Sequence, residues 1–124
     1  MGGAVKLVVL MVEVEQPEGL SARKLVLESA KHNVLTAYNG RYGLELLGHF
    51  PNVDLVVVHR FVEGMTAEEI IRRVKEINPK MPIVLLSPLA DGEPLGAQYV
   101  IPSHEPQMIL NLLEEAFGAS GTNC

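Results

Sequence analysis

Four polar side chains, namely two carboxylates, an imidazole and a hydroxyl, come at the ends of apolar runs in this sequence. Glu13 and Glu15 follow the first run, His59 ends a later one, and Ser87 ends a third. One histidine with one or two carboxylates could bind Zn²⁺ or another transition metal. A neutral imidazole beside a carboxylate more simply forms a hydrogen bond or an ion pair. We expect the second arrangement, with a partly exposed His59, and we expect neither a metal nor another cofactor.

These side chains could act together only if buried strands bring them to one edge of a sheet. The runs that precede them are nearly continuous and rich in valine, which is typical of strands covered on both faces of a parallel sheet. The apolar runs predict five strands, at residues 6–14, 33–37, 54–59, 82–87 and 99–101. Helical spacing between and after them predicts helices at residues 20–32, 42–49, 67–78 and 106–117.

The helical spacing also predicts where individual side chains lie. In the first helix, Arg23 and Lys24 are expected on the polar side. Thr66 is expected to cap the third helix. That helix is expected to bury four aliphatic side chains, those of Ile70, Ile71, Val74 and Ile77. The scattered histidines are expected at the surface, and these are His32, His49 and His104.

The composition indicates one domain that folds without disulfides or a structural metal. The chain has 124 residues, of which 48% are hydrophobic, and its only cysteine is Cys124. The net charge of −5 and the lack of a long basic run argue against a nucleic-acid surface. The first apolar run is too short to cross a membrane. We therefore expect a cytoplasmic domain at residues 1–118, followed by a disordered tail at residues 119–124.

The alternation of strands and helices predicts a three-layer α/β sandwich, with a parallel sheet between helices and right-handed crossovers. One connection departs from this pattern. Only residues 88–97 join the fourth and fifth strands, and they include Pro88, Gly92 and Pro94. A parallel crossover normally takes about a dozen or more residues and a helix, which two prolines and a glycine cannot sustain. We predict that the fourth helix is lost or reduced to about one turn.

Five local strings, taken in order and spacing, carry a resemblance to a known family. They are Asn39-Gly40 ahead of residues 42–47, then residues 54–58, 62–67 and 82–87, and Gly96-Ala97 ahead of Tyr99. Over residues 6–117 the chain resembles the receiver domain of bacterial response regulators. The resemblance implies a flavodoxin-like (βα)5 fold with strand order 2-1-3-4-5.

A working receiver takes a phosphoryl group onto an aspartate at the end of strand 3. Mg²⁺ is held by acids at the end of strand 1, and a lysine follows strand 5. The resemblance implies that His59 stands at the phosphoacceptor position and Pro102 at the lysine position. The acidic pair falls on Val14-Glu15 or, with a shift of one residue, on Glu13-Val14. In either register one acid remains, and the phosphoacceptor pocket is degenerate.

Two further positions match the family. Ser87 stands where receivers keep the hydroxyl that reports phosphorylation, and Tyr99 stands where they keep an aromatic side chain that turns in response. The functional interpretation is a relay kept for partner binding. The structural alternative is that Ser87 caps a strand end and Tyr99 packs at the surface.

The first hypothesis is a signal-transduction module that acts by contact with a protein, independently of phosphorylation. It would not be an enzyme, because no nucleophile with a paired base can be assembled from these residues. The partner would be a signalling or regulatory protein, or an output domain on a longer chain; homodimerisation through the fifth strand and last helix is a further option. We expect no direct contact with nucleic acid or membrane. The alternative is a small-ligand or metal sensor, with a pocket lined by Glu13, Glu15, His59, Phe61 and Ser87.

Overall fold

The structure is a computed structural model that describes residues 6–15, 22–88 and 92–118. Five parallel strands form one sheet in the order β2-β1-β3-β4-β5. The strands are β1 (Val8–Val12), β2 (Asn33–Ala37), β3 (Leu55–His59), β4 (Ile83–Ser87) and β5 (Tyr99–Pro102). The described residues also form four helices, α1 (Ala22–Ser29), α2 (Gly40–His49), α3 (Ala67–Ile77) and α4 (Gln107–Phe117). The predicted flavodoxin-like α/β fold is confirmed.

Both faces of the sheet are covered, because alternate residues of each strand point to opposite sides. On one side, α2 and α3 pack against a core that includes Leu10 and Val56. On the other side, α1 and α4 pack against a core that includes Met11 and Val57. The continuous apolar runs in the sequence are therefore the result of two buried faces, as expected for a parallel sheet.

Side-chain caps begin two of the helices. The Asn39 side chain accepts a hydrogen bond from the Arg41 amide at 2.8 Å at the start of α2. The Thr66 hydroxyl accepts one from the Glu69 amide at 3.1 Å at the start of α3, so the predicted cap is confirmed. Such caps satisfy backbone amides that have no partner within the helix.

The connection between β4 and β5 contains no helix among its described residues, which are 88 and 92–98. This agrees with the prediction that the fourth helix is lost or reduced to about one turn. In its place Leu95 and Ala97 pack against the core on the α3 side of the sheet. Val100, the register partner of Leu85 in β4, stays 39% exposed on β5.

Three predicted side-chain placements are wrong, two of them based on helical spacing and one on the scattered position of a histidine in the sequence. Ile77, in the last turn of α3, is 55% exposed, because the buried stripe of that helix ends at Val74. His32 is buried instead of lying at the surface, and its Nδ1 accepts a hydrogen bond from the Leu7 amide at 3.1 Å. Arg23 is buried on the inner side of α1 and not on its polar side.

The first helix is also shorter than predicted at its carboxyl end. It stops at Ser29, and Lys31 adopts a left-handed conformation with φ of 74° that turns the chain into β2. The predicted tail at 119–124 and the first five residues of the predicted domain lie outside the described residues. Within the described residues, no helix is long and apolar enough to cross a membrane.

Candidate functional site at the carboxyl edge of the sheet

The carboxyl ends of β1, β3, β4 and β5 lie along one edge of the sheet. His59 pairs with Leu86, and Ser87 pairs with Pro102, in the parallel register. Glu13 follows β1 directly, and its amide donates to the Ala37 carbonyl at 2.9 Å. The side chains predicted to share one edge therefore do so.

The three residues that follow β1 differ sharply in exposure. Glu13 is 0% exposed, Val14 is half-buried and Glu15 is exposed. The buried carboxylate at this edge is therefore that of Glu13. A buried carboxylate needs a compensating charge, because transfer from water into the protein interior costs several kcal/mol, in order of magnitude, for an unpaired ion.

Arg23 of α1 provides that charge. Its Nε lies 3.1 Å from one carboxylate oxygen of Glu13, and an Nη lies 2.5 Å from the other. The remaining Nη donates to the main-chain carbonyl of Ser103, in the loop after β5. The planar guanidinium thus makes the two-pronged contact with a carboxylate that suits its geometry. One side chain links β1, α1 and the β5–α4 loop.

His59 lies beside this ion pair and is half-buried. Its Nδ1 accepts a hydrogen bond from the Phe61 amide at 3.1 Å, and the two rings lie 6.2 Å apart between centroids. Burial lowers the pKa of His59 below its ordinary value, and the charge of Arg23 lowers that pKa further, while Glu13 partly opposes the shift. The imidazole is therefore neutral at pH 7. The predicted partial exposure of His59 is confirmed, but its hydrogen bond within the described residues is to a backbone amide and not to a carboxylate.

A second arginine joins the ends of β3 and β4. Arg60 Nε donates to the Ser87 hydroxyl oxygen at 3.0 Å, and an Nη of Arg60 donates to the Glu93 carbonyl. Ser87 is 2% exposed. Tyr99 is half-buried and packs against the core on the α4 side of the sheet.

The described residues contain no group of three or more histidine, cysteine, aspartate or glutamate side chains arranged to hold a metal ion. Glu13 forms an ion pair with Arg23, and Glu15 is exposed. A groove of about 350 Å³ lies away from this edge, between α1 and α4. The metal-sensor hypothesis therefore gains no support from this geometry.

Sequence reasoning missed both arginines. A signal for Arg23 existed, because it lies four residues before Leu27 and therefore on the same buried side of α1. An arginine at an apolar helix position, together with a glutamate at the end of a buried strand, indicates an internal ion pair. Arg60 carried no comparable signal, because its contacts depend on the conformation of the β4–β5 connection.

No protein-family model matches the sequence. Two-component response regulator ORR11 from Oryza sativa subsp. japonica is 34% identical over 64 residues, which cover 50% of this chain and 44% of that protein. Two-component response regulator ORR6 from the same organism is 36% identical over 66 residues, covering 50% and 39%. The chain thus spans less than half the length of these relatives.

Solved receiver structures match nearly the whole chain. The chemotaxis response regulator CheY4 of Vibrio cholerae has a TM-score of 0.78 at 20% identity, covering 91% of this chain and 100% of that one. A chain of the CheX–CheY–BeF₃–Mg complex from Borrelia burgdorferi has a TM-score of 0.77 at 17% identity, covering 91% and 90%. At such identities the match concerns the fold alone, and it confirms the resemblance to receivers at that level.

Proposed function

We propose that this receiver-like signalling domain acts in the cytoplasm through protein contacts and takes up no phosphoryl group at its carboxyl edge. The observation that carries the proposal is the buried ion pair between Glu13 and Arg23. It lies where the resemblance to receivers implies a magnesium site. A fixed internal cation would there replace an exchangeable one.

A magnesium ion at this edge would need oxygen ligands that are free to coordinate it. Both carboxylate oxygens of Glu13 accept hydrogen bonds from Arg23, which is a permanent cation. Mg²⁺ would have to displace the guanidinium, and the two cations would repel each other in a poorly solvated site. Glu15 is exposed to solvent and offers a weaker, more hydrated ligand.

The acceptor side of the chemistry is also unfavourable. His59 supplies an imidazole where the resemblance implies a carboxylate, and its Nδ1 is engaged by the Phe61 amide. Phosphoryl transfer gathers negative charge on the transferring oxygens, which needs nearby positive groups. Pro102 has none to offer, while Arg23 and Arg60 already donate to protein oxygens.

Contact with a protein partner is supported by the surface beside β5. Val100 is an exposed apolar residue on β5, on the α3 side of the sheet, where the described part of the β4–β5 connection forms no helix. The structural match from Borrelia burgdorferi comes from a complex of CheX with CheY. We propose that the partner here is a signalling or regulatory protein, an output domain on a longer chain, or a second copy of this domain.

Incubation with acetyl phosphate and Mg²⁺, followed by intact-mass measurement, tests the phosphorylation part of the proposal. We expect no phosphoryl adduct, whereas a phosphorylatable receiver domain treated in parallel should gain one. A stoichiometric adduct on this protein that disappears in His59→Gln would overturn the proposal. An adduct that persists in that variant would also overturn it and would place the acceptor elsewhere.

A further inference from the structure

In the described part of the connection before β5, Arg60 holds the amino-terminal end of a segment without helix. Residues 92–98 are called the strap here. Arg60 reaches from the end of β3 to the Ser87 hydroxyl at the end of β4 and to the Glu93 carbonyl in the strap. The contact is close, since a Cβ added at Gly92 would lie 2.5 Å from an Arg60 Nη and 2.9 Å from the Ser87 oxygen. Gly92 is thus the residue type that this contact requires.

The carboxyl-terminal end of the strap is held by Gln98. Its side-chain oxygen accepts a hydrogen bond from the Ile83 amide at 2.9 Å, and its own amide donates to the Ile83 carbonyl at 3.1 Å. Between the two ends, Leu95 and Ala97 pack against the core. A Cβ at Gly96 would lie 3.3 Å from Ile71, so the strap runs directly over α3.

The strap has little secondary structure of its own to stabilise it. Leu95 has a φ of 52°, which is costly for a residue with a Cβ, and Gly96 has a φ of 98°. Among the described residues, the strap has one internal backbone hydrogen bond, from the Ala97 amide to the Pro94 carbonyl at 2.8 Å. A segment with few backbone hydrogen bonds opens at a lower free energy than the surrounding core. Its closed state therefore depends on the contacts at its ends.

We infer that Arg60 is a latch that holds the strap closed, and that the strap opens as a unit when the latch is released. Opening removes Leu95 and Ala97 from the core and uncovers the side of α3 at Ile71. Val100, which is already exposed, lies on the same side of the sheet. The latch thus controls how much apolar surface this side of the domain presents. The inference is independent of the proposed function, because the strap could open whether or not the carboxyl edge accepts a phosphoryl group.

Hydrogen exchange at the amides of Ala97 and Gln98 tests the latch. Arg60→Ala should speed exchange at both amides by about tenfold or more, because charged donors make the stronger hydrogen bonds. Exchange at Val57, in the centre of the sheet, should change much less. Arg60→Lys should behave like Arg60→Ala, because an ammonium cannot make both directed contacts of the guanidinium fork.

Gly92→Ala disturbs the same contact from the other side and leaves Arg60 in place. It should also speed exchange at Ala97 and Gln98. In the double variant with Arg60→Ala and Gly92→Ala, the acceleration should barely exceed the larger of the two single effects. Arg41→Ala, at an exposed position of α2, and Gly48→Ala, which meets nothing within 4 Å, are the matched controls.

Three results would overturn the latch. The first is unchanged exchange at the two strap amides in both Arg60→Ala and Gly92→Ala. The second is acceleration at these amides no greater than that at Val57, which would indicate global destabilisation. The third is wild-type exchange in Arg60→Lys, which would show that charge alone holds the strap.

Discussion

Replacement of Arg23 by methionine should destabilise the domain more than any other single exchange of a charged side chain in the described residues. Methionine keeps an unbranched side chain of good helix propensity but leaves Glu13, which is 0% exposed, without its cation. Breaking a buried ion pair by removal of one partner costs about 3–5 kcal/mol. Total stabilities are about 5–15 kcal/mol, so the loss is a large share of the whole.

Urea denaturation followed by circular dichroism measures this loss. With a slope of about 2 kcal/mol per molar urea for a domain of this size, the unfolding midpoint should fall by about 2 M. Arg72→Met is the matched control, because Arg72 is an exposed arginine whose ion pairs with Glu69 and Glu76 lie on the surface of α3. Its midpoint should remain close to that of the wild type.

A double-mutant cycle separates the ion pair from other effects of the substitution. Glu13→Gln combined with Arg23→Met leaves no buried charge, so the double variant should be more stable than Arg23→Met alone. If Arg23→Met unfolds at the same urea concentration as Arg72→Met, the buried carboxylate does not need its cation. The proposal that Arg23 takes the place of a metal ion beside Glu13 would then fail.

Two further outcomes follow from single residues. Burial lowers the pKa of His32, and nearby Lys6 lowers it further, so the unfolded chain binds a proton at higher pH than the folded chain does. The stability of the domain should therefore fall as pH drops below about 6.5. His32→Gln should reduce this fall in urea midpoints measured between pH 7.5 and 5.5, and an unchanged slope would contradict the assignment. Gly64→Ala should cost about 1–2 kcal/mol, because Gly64 has a φ of 89° and a Cβ there would lie 2.4 Å from the Asn39 side chain that caps α2. Gly48→Ala, in the open on α2, should have the opposite sign, and equal midpoints for the two alanine variants would refute the steric argument.

The fold could be predicted because its main determinants are local in the sequence. The valine-rich run of β3 predicted a strand buried on both faces, and the structure has it between β1 and β4. Pro88, Gly92 and Pro94 predicted that the fourth helix is lost or reduced to about one turn, for a backbone reason that is local in the sequence. The placement of Ile77 failed because periodicity gives the side of a helix on which a residue lies, but not whether another element covers that side.

The site was predicted only in part because its chemistry depends on contacts between residues far apart in the sequence. Parallel topology alone brings Glu13, His59 and Ser87 to one edge, and this followed from the order of elements. Whether Glu13 meets a metal, a histidine or an arginine depends on how α1 sits against the sheet, which no local pattern fixes. The same holds for Arg60, whose acceptors lie 27 and 33 residues away.

The two arginines suggest why a domain of this fold could work without a phosphoryl group. A ligand shifts a conformational equilibrium only by its difference in affinity for the two states. At an edge where Arg23 already neutralises Glu13, an added metal ion would bind weakly. The conformational shift that a receiver obtains from metal and phosphoryl group would therefore be small here. A protein that binds the apolar side near the strap would act on the equilibrium between the closed and open strap. It would favour the open state, which the contacts of Arg60 oppose. We therefore expect the strap side, and not the carboxyl edge, to be where a partner changes the conformation of this domain.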